Sequence, residues 1–213
     1  MIKTITSNST YEEVKYFLNF FFNEYLVKEI NDIKFYLHPL GFIYSRIYSS
    51  ENEQLRIHIW PKNYKRKEDF YIHDHYYDLS SWILLGEIKD LLYDISVKKN
   101  NGEFIIYEGS YNGNENYRYL KPSSSFCNIL NIEERYFTKG DKYFIEKSKY
   151  HSNEIIFKNS DYACTLVLTQ NPNKIHSPKV LSKIKQSEII EETPTLMSYK
   201  EMKLIIESII IKL

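Results

Sequence analysis

Two histidines separated by one residue, His73 and His75 in the run Ile72-His73-Asp74-His75, constrain this chain more than any other feature. On a β-strand, residues i and i+2 point to the same face. Two neutral imidazoles side by side are good ligands for a first-row transition metal. A third nitrogen must then come from elsewhere, and His151 is placed to supply it. Gly86 stands eleven residues after His75, where a return strand would end in a turn. Gly140 stands eleven residues before His151, room for one strand and a turn. For these units to meet, the chain must fold back on itself in antiparallel strands. Three imidazoles would leave metal positions open for water, oxygen or substrate.

The rest of the sequence agrees with a β-rich middle between two helices. Residues 9 to 29 read as a helix, with Ser9 or Thr10 as its cap and Glu12 and Glu13 at the reciprocal positions. Val14, Phe17, Leu18, Phe21, Tyr25 and Leu26 recur at helical spacing. From about Ile33 to Thr169 the pattern is of short strands. Phe42 to Tyr48 and Gln54 to Trp60 form a hairpin around Ser49-Ser50-Glu51-Asn52. Asp69 to Tyr76, Ser81 to Ile88, Leu91 to Val97, Glu103 to Tyr107 and Tyr117 to Leu120 follow. Asn131 to Phe137, Tyr143 to Glu146, Glu154 to Phe157 and Ala163 to Thr169 complete the set. Many short strands at regular spacing predict a sandwich or barrel. Residues 171 to 196, with Pro172, Pro178 and Pro194, read as a wrapping connection. A capping box at Ser198-Tyr199-Lys200-Glu201 opens a last helix over 198–213, whose stripe is Met202, Ile205, Ile206, Ile209 and Leu213. Both stripes predict helices packed on the sheet rather than loose tails.

Composition narrows the function. Lys+Arg 28 balances Asp+Glu 28, so there is no electrostatic case for nucleic acid. The basic run Lys62, Lys65, Arg66 and Lys67 meets Glu68 and Asp69 at once and reads as a solvated loop rather than a phosphate site. Phe17 to Leu26 contains Asn19, Asn23 and Glu24, too short and too polar for a bilayer span. Cys127 and Cys164 give no disulfide framework and read as small core residues. The N-terminus lacks a signal-peptide pattern, and a reducing, cytoplasmic setting is expected.

The two histidine units resemble the motifs of the cupin superfamily: a His-x-His pair and a glycine (His73, His75, Gly86), then a glycine, a strand and a histidine (Gly140, His151). The resemblance covers roughly residues 40 to 170. Within cupins the chain is most similar to the thiol dioxygenases of the cysteine dioxygenase group, whose Ile-His-Asp-His run matches Ile72 to His75. Their later histidine and following strand are similar to His151 with Ala163-Cys164-Thr165-Leu166. The positions where many cupins carry a ligand glutamate hold Leu79 and Ser80, with Asp78 beside them. The tyrosine position after the third histidine falls on Leu168 or Thr169.

The resemblance implies one domain over residues 1–213: a cupin-like β-barrel over 33–170, an N-terminal helix and a C-terminal helix. It implies a non-haem Fe(II) oxygenase with His73, His75 and His151 as metal ligands and a small polar substrate. Zn, Mn or Ni on the same ligands, in an isomerase or lyase, is the second reading. A ligand-binding barrel without catalysis is the third. Arg56 shares a strand face with His58; if that face is the barrel interior it would clamp a substrate carboxylate, and if the exterior it would pair with a surface acid. Tyr143 and Tyr150 flank the third ligand and would orient a bound group, or else pack the barrel. Trp60 and Trp82 read as core, and His38, His58 and His176 as singly satisfied histidines. A homodimer is the assembly considered.

Overall fold

The computed structural model describes residues 5–28, 33–38, 40–64, 71–111, 118–183, 190–192 and 194–213. Lys65, Arg66, Lys67, Glu68 and Asp69, the larger part of the basic run, lie outside the described residues, as does Tyr117. The chain begins with helix α1 (Tyr11–Lys28). Strands β1 (Tyr36–His38), β2 (Phe42–Ser49), β3 (Glu53–Pro61), β4 (Ile72–His73), β5 (Asp78–Leu85), β6 (Glu87–Lys98) and β7 (Phe104–Tyr111) follow. Next come β8 (Arg118–Phe137), β9 (Lys142–Ile145), β10 (Tyr150–Ile156) and β11 (Tyr162–Gln170). Three short strands, β12 (Lys179–Ser182), β13 (Ile190–Glu192) and β14 (Thr195–Leu196), lead to helix α2 (Tyr199–Ile210). The all-β core with a helix at each end is thus the one the sequence predicts. No helix among the described residues is long and apolar enough to cross a membrane.

The strands form two antiparallel seven-stranded sheets. The first runs β14-β1-β2-β3-β11-β5-β9, the second β13-β8-β6-β10-β4-β12-β7. In the second sheet β7 also pairs with β8, so the sheet curls until its far strands meet.

Strand alternation sends the first sheet's side chains to two different places. One face presents Leu55, Ile57, Ile59, Trp82, Leu84, Cys164, Leu166 and Leu168, all buried beneath Val14, Leu18 and Phe22 of α1 and Met202, Ile206 and Ile209 of α2. The helices therefore cover the sheet as their stripes predict. Both begin with a capping box: Thr10 with Glu13 in α1, Ser198 with Glu201 in α2. The Trp82 indole N–H donates to Ser9 O at 3.0 Å and ties the start of α1 to the sheet. The opposite face carries Trp60, Leu79, Ile83, Tyr143, Ala163 and Val167, which pack with Ile88 of the second sheet.

The strand boundaries hold several corrections. The strand read over 69–76 is only Ile72–His73 among the described residues, and His75 lies in the loop beyond it. The strand read over 81–88 is two strands parted at Gly86, whose φ is +82°. A Cβ at Gly86 would sit 2.6 Å from the Ala163 Cβ, so turn geometry and close packing both require glycine. The segments read at 117–120 and 131–137 belong to one long strand, β8, despite Pro122. Pro122 lies beside a register shift in the β7 pairing, where a missing N–H is tolerated. The wrapping connection 171–196 contributes β12, β13 and β14 to the sheets.

Candidate metal centre

β4 and β10 are antiparallel neighbours, and His73 and His151 are direct cross-strand partners. Directly opposed residues share a face, with Cβ atoms about 4.5–5.5 Å apart. The two rings lie 4.7 Å apart, and the His75 ring sits 4.8 Å from His73 and 5.1 Å from His151. One ligand nitrogen from each lies within 4.8 Å of the others. His151 is buried, while His73 and His75 are partly exposed.

The loop that carries His75 is held from both sides. Asp74 points away from the cluster and is 2 % exposed. Its carboxylate accepts from the Lys179 amide at 2.5 Å and meets His176 Nε2 at 2.8 Å. The Asp74 amide in turn donates to Lys179 O at 3.0 Å. On the other side the Ser148 amide donates to His75 O at 2.8 Å, from a turn where Ser148 has φ 64°. Pairing with β10 and β12 therefore stops at His73, and Asp74 fixes the course of the chain beyond it. Burial raises the Asp74 carboxyl, against the pull of the Lys179 amide and His176.

Each outer histidine has its second ring nitrogen engaged. His73 Nδ1 lies 2.8 Å from Tyr71 O, which can only accept, so Nδ1 carries the proton and Nε2 is left with its lone pair. His151 Nδ1 lies 3.3 Å from the Asp90 carboxylate. The same argument leaves His151 Nε2 as an acceptor. His75 Nε2 stands 3.0 Å from it, so the two nitrogens face one point. The His75 ring stacks on Tyr77 at 4.8 Å and 14°. Burial holds His75 well below the usual histidine range, reinforced by the neighbouring His73, His151, Arg56 and His58. The Nε2 atoms of His73 and His151 thus keep their lone pairs for the cluster.

The donor set fits a divalent ion. Nitrogens each about 2.0–2.1 Å from one ion lie about 3 Å apart at right angles and about 4.2 Å apart when opposed. The His75 and His151 Nε2 atoms are 3.0 Å apart, and one nitrogen from each of the three histidines lies within 4.8 Å of the others, so these three would hold the ion. Among the described residues no carboxylate joins the group. Asp78 is occupied elsewhere: its oxygens accept from the Lys147 amide at 3.0 Å and from Asn171 Nδ2 at 3.0 Å.

The other residues singled out in the sequence divide by strand parity. Arg56 lies on the face of β3 opposite the helices, against Tyr77. Its Nη1 donates to Tyr77 OH at 3.2 Å, its Nε donates to Gln54 Oε1 at 3.0 Å, and its guanidinium lies 5.3 Å from the Tyr77 ring centre. His58, two residues on, packs between Phe42 and Trp60 at 5.0 and 5.7 Å. Tyr143 is buried on the same inner face, where its hydroxyl accepts from Asn153 Nδ2 at 3.4 Å and burial pushes it up to about 12. Tyr150 turns to the reverse face of β10 and packs with Ile72, Leu91, Tyr93, Phe104 and Leu181 in a second core. His38 is buried, stacked on Phe42, and accepts from the Leu40 amide. Cys127 and Cys164 are buried in apolar clusters, and burial pushes both thiols up.

Two residues at the site have no motif to announce them. Asp90 of β6 is 0 % exposed and takes Nε and Nη2 of Arg135 from β8 at 3.0 and 2.6 Å. Arg135 Nη2 also donates to Phe144 O of β9, in the other sheet, at 3.3 Å. The only sequence signal is parity: in Ile88-Lys89-Asp90-Leu91-Leu92 the acid falls in phase with core-facing Ile88. A shallow cavity of about 170 Å³ opens behind Tyr77, lined by Tyr76, Gln54, Glu53, Gln170 and Lys174 among others.

No family model matches the chain, and no curated protein matches it. Among solved structures it is similar to hydroxypropylphosphonic acid epoxidase from S. wedmorenis, with 12% identity and a TM-score of 0.40, over 67% of this chain and 57% of that one. It is also similar to a crystal structure of DMSP lyases, with 12% identity and a TM-score of 0.38, over 64% and 51%. A third is an RmlC-like cupin from Shewanella frigidimarina, with 10% identity and a TM-score of 0.35, over 64% and 81%. The chain spans about half the length of the first two. At these identities and TM-scores none of them bears on what this chain does. The fold and the cluster define a helix-flanked β-sandwich with three histidines gathered between its sheets.

Proposed function

We propose that this chain is a metal-dependent enzyme of the cupin kind, an Fe(II) oxygenase acting on a small polar molecule. The observation that carries this reading is the convergence of His73, His75 and His151 as nitrogen donors beside β4 and β10. These three would hold the ion. When bound, the ion would supply oxygen activation, with positions left over for substrate.

The chain's own residues do the rest. Arg56 presents a planar cationic fork beside Tyr77 and His75, suited to an anionic group on the substrate. Tyr77 forms an aromatic wall between the cluster and the cavity behind it. Tyr143 stays protonated in its buried position and offers a neutral hydroxyl near Asn153. Tyr150 supports β10 from behind and so sets the depth of His151. Trp60, Val167 and Ile83 keep bulk water from the inner face.

The second reading is Lewis-acid chemistry by Zn, Mn or Ni, favoured by a donor set of three imidazoles that no carboxylate joins among the described residues, which accepts several ions. The deciding experiment is metal analysis of protein purified without oxygen, followed by oxygen uptake with small thiol, hydroxy and amino carboxylates. Stoichiometric iron and substrate-dependent uptake are expected. Bound metal without uptake on any of them would leave the Lewis-acid reading. Protein that retains no divalent ion would leave a ligand-binding barrel.

A further inference from the structure

Asp90 is a carboxylate with no exposure at all, set between a cation and an imidazole. Arg135 approaches one oxygen with two donors, and His151 Nδ1 approaches the other. A buried carboxylate is tolerated only with such compensation, so this pairing is built rather than incidental. Arg135 has only donors to offer. It therefore holds Asp90 in one orientation, with the second oxygen turned to His151. That oxygen can only accept, so the proton of neutral His151 is placed on Nδ1 and its lone pair on Nε2, toward His73 and His75.

We propose that the Arg135–Asp90 pair is a positioning device that selects the metal-binding tautomer of His151. The proposal rests on the metal-site reading above, and it extends the site to two residues on strands that carry no ligand. It makes a counter-intuitive claim about an isosteric change. In Asp90→Asn, Arg135 will still demand an acceptor and will take the amide oxygen. The amide NH₂ is then left facing His151 Nδ1, which must become the acceptor. The His151 proton moves to Nε2, the atom needed for the metal. Removing Arg135 as well, in Asp90→Asn/Arg135→Met, frees the amide to turn its oxygen back to His151.

The test uses the full chain and Zn(II) or Co(II) alone, with affinity measured by competition against a chromogenic chelator. Asp90→Asn is expected to weaken metal binding about 10–100-fold, the usual cost of losing a partner that orients a ligand. The double variant is expected to recover much of that loss, which a merely structural role for the pair would not allow. Independently of any variant folding, long-range ¹H–¹⁵N spectra of the metal-free wild type should show His151 protonated on Nδ1. A wild-type His151 protonated on Nε2, or a double variant no tighter than Asp90→Asn, would overturn the proposal. His75→Ala separates the two levels. If it keeps wild-type affinity, the metal site itself is misplaced. If it loses metal while Asp90→Asn does not, the site stands and the positioning device falls.

Discussion

The two faces of the first sheet are built from the same strands and do different work. On β3, Leu55, Ile57 and Ile59 lie beneath the helices, while Arg56, His58 and Trp60 between them face the second sheet. On β11, Cys164, Leu166 and Leu168 are helix-covered, while Ala163, Val167 and buried Thr165 look inward. A step of one residue moves a side chain from an apolar layer beneath the helices to an inner face that carries an arginine and a histidine. Stability and chemistry are thereby separated by parity rather than by region. The helices are what make this possible, because they take over burial that the inner face would otherwise have to provide.

That separation can be broken most severely from the inner side. His75→Ala is expected to lower divalent-metal affinity by more than the roughly 100-fold typical of removing a supporting partner, since a ligand itself is lost. Metal content after dialysis and the thermal midpoint of the metal-free protein should be measured together. Loss of metal with the midpoint nearly unchanged is the expected pair of results, and a large fall in the midpoint would show that the faces are not independent. Ile57→Ala, one strand position from Arg56, should do the reverse. It should cost about 2–5 kcal/mol in denaturant unfolding and leave metal affinity in the surviving folded protein intact. Arg56→Ala should keep the metal and weaken binding of an anionic substrate by about 1.5–3 kcal/mol, the usual worth of a charge-assisted hydrogen bond. Titration calorimetry on metal-loaded protein reads this directly, and unchanged affinity would remove Arg56 from the binding face. The smallest effect belongs to Ser198→Ala, which deletes the α2 cap and should cost about 1 kcal/mol with no change at the metal.

The histidine cluster was legible in the sequence because its members carry local signatures: a His-x-His pair, and glycines at both turns. Gly86 and Gly140 indeed adopt positive φ. The helices were legible for a similar reason, each having a capping box and an apolar stripe. What escaped was everything that depends on pairing between distant strands. Asp90 and Arg135 belong to adjacent strands, β6 and β8, and no spacing rule links them. The brevity of β4 was equally hidden, because it follows from Asp74 being captured by the Lys179 amide far along the chain. The side taken by Tyr150 depended on strand phase, which was set by His151 being the residue opposed to His73. The strands read separately at 117–120 and 131–137 are one, because the register shift opposite Ile105–Tyr107 lets β8 run through Pro122.

The direct opposition of His73 and His151 has a kinetic side. His75 and His151 are 76 residues apart in the chain, and β4 meets β10 over a very short overlap. Contacts of this span must overcome loop-closure entropy before they are rewarded, so they form late in folding. A nascent or partly unfolded chain would have His73 and His75 together but His151 absent, and could offer a divalent ion only two imidazoles. The ion would then bind the finished fold in preference to its precursors. At a free concentration about 100 times its dissociation constant, it would add about 2.7 kcal/mol to the native state. The centre would act as a clasp on a non-local seam of the molecule, and the rate of metal capture during refolding would time the closing of that seam.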